Sequence, residues 1–168
     1  MKRLFLPLAA LAVCYLILFG TLFLTYGDLP LKVASHFDIS GRPNGWMSRG
    51  GEVEFTLGMA LFLPIFTVGM LGGAKWIPAR FINIPHRAYW LAPERRGATA
   101  RVLLHYGLWL ACLTVLLLTG THELIVQANT SGDSYRLNGG GMSLVLGGFL
   151  AGLVIWSILL KRRFRLPK

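Results

Sequence analysis

Six side chains in this 168-residue chain carry chemistry: His36, Asp38, Glu52, Glu54, His122 and Glu123. Imidazoles beside carboxylates are the donor set of a zinc site, in which His36 and His122 with Asp38 or Glu123 would supply the ligands. A catalytic version would also need an open coordination position and a base. The spacing argues for less. His36-x-Asp38 is not a recognised ligand spacing, and neither His-Glu-x-x-His nor Cys-x-x-Cys occurs. The simpler reading is a hydrogen-bonded loop. In it Asp38 and Ser40 cap a turn around Gly41, and Pro43-Asn44-Gly45 makes a tight turn that places Trp46. This structural reading ranks first, ligand contact second, and metal or catalysis third. No cofactor is expected.

The elements that must hold these residues are membrane helices. With 54% hydrophobic and 14% charged residues, the chain has too few charges to clothe a soluble globule. A hydrocarbon core of about 30 Å needs roughly 20 apolar helical residues to cross it. Four runs reach that length: residues 4–26, 55–74, 102–121 and 142–160. None contains Asp, Glu, Lys or Arg. The sequence therefore predicts an all-α membrane protein, four transmembrane helices forming one domain over residues 1–168. The first run is too long for a signal-peptide core and lacks a small-x-small cleavage site, so it is expected to stay as a span.

Lys and Arg orient the bundle. Placing the N-terminus, the 74–101 loop and the C-terminal tail on one side puts thirteen of the 17 basic residues there. The opposite side receives Lys32, Arg42, Arg49 and Arg136, with six of the 7 acidic residues. By the positive-inside rule both termini are cytoplasmic, and the 27–54 and 122–141 loops face outward. The net charge of +10 then reflects topology and attraction to anionic lipid, not nucleic acid.

Inside the runs, Pro64 should kink the second helix and free a carbonyl that a neighbouring helix must satisfy. Gly69 with Gly73 and Gly148 with Gly152 are spaced for close helix approach, and self-association into a homo-oligomer is the sharper version of that reading. Cys14 and Cys112 read as packing residues. Asn129-Thr-Ser131 fits a glycosylation sequon, which has no meaning in a bacterial protein. The 75–96 loop interleaves aromatics and bases, as suits the headgroup zone. Pro93-Glu94 reads as the start of a helix that runs into the third span.

Leu29-Pro30, His36-Phe37, Gly41-Arg-Pro-Asn-Gly-Trp46 and Ser48-Arg49 together resemble the signature of the bacterial membrane family called domain of unknown function 1648. Asn83, Pro85, Tyr89, Trp90, Pro93, Glu94 and Arg95 are similar to a second motif seen in many members. The resemblance covers residues 5–100. It departs at Ala34, where the family usually has proline, and at Arg49, where lysine is common. It implies a multi-pass protein of the bacterial plasma membrane, related to immunity proteins against a sporulation-delaying peptide toxin. Such relatives protect the producing cell and relay the toxin's presence to a transcriptional repressor. The expected function is thus non-enzymatic: an outer loop, with His36, Asp38, Gly41, Pro43, Asn44, Gly45 and Trp46, contacts a ligand or peptide toxin, and a regulator waits inside. The alternative is a membrane-embedded metal-dependent enzyme or accessory subunit using the outer His and carboxylate residues.

Overall fold

The computed structural model describes residues 2–132 and 135–166. Its elements run α1 (Lys2–Thr25), β1 (Lys32–Phe37), β2 (Pro43–Ser48), α2 (Arg49–Gly72), a short α3 (Arg87–Trp90), α4 (Pro93–Thr130) and α5 (Gly139–Arg163). Four of the helices, α1, α2, α4 and α5, are long and apolar enough to cross a membrane. The four-span, all-α architecture expected from the sequence is the one found. To it the structure adds a two-stranded antiparallel hairpin at one end.

The helix bounds exceed the apolar runs. Helix α2 begins at Arg49, capped by the Ser48 hydroxyl accepting from the Gly51 amide, and so includes Glu52 and Glu54. Helix α4 has 38 residues and continues through His122, Glu123 and Asn129. At 1.5 Å per residue it is about 57 Å long, nearly twice the hydrocarbon thickness. The stretch 49–54 and the stretch 122–130, expected as loop, are helix because an ionisable residue ends an apolar run without ending the helix. Pro93 does open α4, with Glu94 in its first turn.

Helix α4 is the hub on which α1, α2 and α5 pack. Gly107 lets it approach α2, where a Cβ would meet Leu71 and the Val68 backbone at 3.3–3.4 Å. Gly152 does the same for α5 against Leu113, whereas Gly69 and Gly148 face open space. Helix α5 buries none of its residues fully, as expected of a helix with lipid on most sides. Pro64 lies within an unbroken α2 and removes the donor for the Ala60 carbonyl. The Tyr15 hydroxyl of α1 donates to that carbonyl at 2.7 Å. The neighbouring-helix donor required by Pro64 is therefore present.

Candidate functional site

The 29–49 motif is a hairpin. Strand β1 pairs with β2 in the register Val33↔Met47, Ala34↔Trp46, His36↔Gly45 and Phe37↔Pro43, with irregularities around His36. The reversal occurs over residues 38–42. The Asp38 carboxylate accepts from the Ser40 and Arg42 amides at 2.8 and 2.9 Å, and Gly41 supplies φ 75°. Asp38 thus caps a turn around Gly41, as its position suggested. The tight turn expected at Pro43-Asn44-Gly45 is not there: those residues open β2, and neither Asn44 nor Gly45 has positive φ. Gly45 is needed for room instead, because a Cβ would lie 2.9 Å from the His36 Cβ and 3.3 Å from its Nδ1.

Two clamps hold the hairpin. The first is Asn129, on the last turn of α4. Its Oδ1 accepts from the Ala34 amide at 2.8 Å, and its Nδ2 donates to the Ala34 carbonyl at 2.9 Å and to the Ile125 carbonyl at 2.8 Å. The side-chain amide therefore pairs with β1 as a third strand would, satisfying an edge that would otherwise be buried and open. Proline at position 34 could not donate that N–H; the alanine there is what permits the full clamp. A sequon asparagine used in this way is buried. The second clamp is the 135–138 segment, where the Leu137 amide donates to the Gly41 carbonyl at 3.0 Å and Tyr135 meets the Trp46 ring edge-on at 5.2 Å. Lys32 lies over the other side of Trp46, 5.3 Å from the ring. At the tip, Ile39 is fully exposed, and Leu31 is 82% exposed at the foot of the hairpin.

Beneath the hairpin lies a buried polar network that joins three helices. His122 Nδ1 is 2.9 Å from Glu52 Oε1, and both side chains are almost completely excluded from solvent, at 0% and 2% exposure. His122 Nε2 meets Thr25 Oγ1 at 2.9 Å, and the Thr56 hydroxyl donates to Glu52 Oε1 at 3.1 Å. Among the described residues, Glu52 Oε2 and Arg49 Nε are buried with no hydrogen-bond partner. Glu52 sits in the first turn of α2, where the helix dipole favours an acid.

The sequence-derived donor set is not brought together. His36 is on the hairpin, with its Nδ1 3.0 Å from the Ser35 hydroxyl, and His122 is spent on Glu52 and Thr25. Asp38 is used by its turn, and Glu123 is half-buried on another face of α4. Among the described residues no three His, Cys, Asp or Glu side chains converge as metal ligands would. Nothing in the sequence around Glu52 sets it apart from the acids Asp38, Glu54 and Glu123. Its signal is that it and His122 both lie just beyond the ends of apolar runs, on the same expected side.

At the opposite end, the second motif builds a cover for the termini of the helices. The Trp90 indole donates to the Phe164 carbonyl at 2.9 Å, and the Thr99 hydroxyl donates to the Trp90 carbonyl at 2.7 Å. Arg95 lies 4.1 Å above the Tyr89 ring and pairs with Glu94 at 3.1 Å. Asn83 and Pro85 line a cavity of about 360 Å³ with Trp156, Ser157 and Lys161.

Residues 10–68, from α1 through the hairpin to most of α2, match the family model described as domain of unknown function (DUF1648). The chain carries a DUF1648 domain. The match ends before the 83–95 motif and before α4, which supplies both His122 and Asn129. No curated protein and no solved structure matches the chain. The DUF1648 segment therefore presents the hairpin, and the rest of the chain clamps it.

Proposed function

We propose that this multi-pass membrane protein is non-enzymatic and uses its hairpin, on the outer face of a bacterial plasma membrane, to contact a peptide in an immunity or sensing role. The observation that carries the reading is the combination of a doubly clamped backbone with an exposed tip. A hairpin of two strands is marginal alone; here Asn129 and the 135–138 segment hold it, while Ile39 is left projecting into solvent. A backbone held in place before contact lowers the ordering cost of binding, and Ile39 is the apolar side chain that this tip presents. Arg42 beside the tip, and Lys32 and Arg49 at the foot of the hairpin, would favour an acidic or carboxyl-terminated peptide. The immunity role itself rests on the family analogy, which does not transfer function by fold alone.

The enzymatic alternative would draw on His36, Asp38, His122 and Glu123. It is the weaker reading because both His122 ring nitrogens are already hydrogen-bonded, leaving neither to face a substrate. The test is protection. Cells sensitive to a secreted peptide toxin are made to express the wild-type chain or the double variant Ile39→Asp, Trp46→Ala, and membrane levels are matched. The proposal expects protection by the wild type and its loss in the variant. Equal protection by both would remove the hairpin from the function.

A further inference from the structure

We propose that Glu52 and His122 form a proton-binding site that holds one shared proton in the folded protein. This inference does not depend on what the hairpin contacts.

Hydrogen-bond accounting carries it. Thr25 Oγ1 is 2.8 Å from the Thr21 carbonyl oxygen, which can only accept, so the single hydroxyl proton of Thr25 points there. His122 Nε2, 2.9 Å from the same Oγ1, must then be the donor in that contact. With one ring proton placed on Nε2, the 2.9 Å contact between Nδ1 and Glu52 Oε1 needs a second proton between them. It belongs to imidazolium facing carboxylate or to carboxylic acid facing imidazole, and the pair is neutral either way. Thr56 donates to Oε1 in both arrangements.

The surroundings support a neutral pair. Glu52 and His122 are each 1% exposed, and among the described residues no donor reaches Oε2 to stabilise a lone carboxylate charge. From α1 the side chain that bonds to the pair is the uncharged Thr25. From α2 it meets Thr56, with Arg49 one turn away, its guanidinium 5.4 Å from the Tyr26 ring. On α4, Glu123 is the next residue but lies on another face; Asp28 and Glu54 are exposed. Among the described residues no other ionisable side chain bonds to the pair.

The consequence is a proton-linked join between α1, α2 and α4 directly under the hairpin. Without the shared proton the contact between Oε1 and Nδ1 is no longer a hydrogen bond, while those of the pair to Thr25 and Thr56 remain.

The test compares the wild type with Glu52→Gln in lipid nanodiscs. Glutamine retains an oxygen to accept from Thr56 and supplies an N–H to a bare Nδ1, so no shared proton is required. Nitrogen NMR of histidine-labelled protein reads the ring, with His122 assigned by its loss in His122→Gln. In the wild type a protonated Nε2 and a proton shared at Nδ1 are expected, and in Glu52→Gln a protonated Nε2 with Nδ1 accepting from the glutamine amide. A bare Nε2, or a wild-type Nδ1 without a hydrogen-bond shift, would overturn the assignment. If Glu52→Gln does not fold, the wild-type spectrum alone decides.

Discussion

Replacing Asn129 by alanine should release the hairpin from the bundle without unfolding the spans. The substitution removes both bonds to Ala34 and leaves its N–H and C=O without partners at a residue that is fully buried. An unsatisfied buried group costs about 1–3 kcal/mol, so the two together put the loss at roughly 2–4 kcal/mol once water relieves part of it. The cost falls on the hairpin, because Asn129 lies on the last turns of α4, beyond the apolar core packed by α1 and α2. Amide hydrogen exchange in detergent or nanodiscs reads this directly. At tenfold per 1.4 kcal/mol, protection of the Ala34 amide should fall by roughly 30- to 700-fold, with α1 and α2 amides near Leu18 and Ala60 unchanged. Asn129→Asp, which keeps an acceptor but loses the donor, should fall between. Unchanged protection at Ala34 in Asn129→Ala would show that the hairpin does not depend on this clamp. A parallel loss throughout the helices would show that it is not a separable unit.

Two further substitutions follow from close contacts. Tyr15→Phe leaves the Ala60 carbonyl without a donor and should destabilise the bundle by about 1–3 kcal/mol in denaturant unfolding. Adding Pro64→Ala restores an i→i−4 donor within α2, so the Tyr15→Phe cost should shrink in that background; equal costs in both would refute the pairing. Gly45→Val drives a side chain into His36 and should destabilise the hairpin by about 1–3 kcal/mol through overpacking, seen as faster exchange at Val33 and Met47.

The bundle was legible in the sequence because the hydrocarbon core imposes a length and an apolar composition on every span. Pro64 and Pro93 could be interpreted because proline acts on its own helix: one removes a donor, the other opens a first turn. The hairpin was harder. Gly45 beside Asn44 has the chemistry of a turn, yet the reversal falls one step earlier, where the Asp38 side chain captures two amides and Gly41 takes positive φ. The site beneath it depends on partners far apart in the chain. Glu52 meets His122 across 70 positions and Ala34 meets Asn129 across 95, and no local pattern encodes either pairing. The His and acid residues were visible as candidates for shared chemistry. Which of them meet is set by how α2 and α4 continue past their apolar runs.

A peptide outside the cell can reach the hairpin only if it faces outward, which puts the 75–96 loop on the cytoplasmic side. Cys14 and Cys112 are buried, so a single introduced cysteine can report its side. Ile39→Cys at the exposed tip and Arg80→Cys on the opposite loop are each expressed in intact cells and treated with a membrane-impermeant thiol reagent. Ile39→Cys should be labelled in intact cells and Arg80→Cys only after permeabilisation. Labelling of Arg80→Cys from outside, with Ile39→Cys protected, would place the hairpin in the cytoplasm and refute the proposed contact.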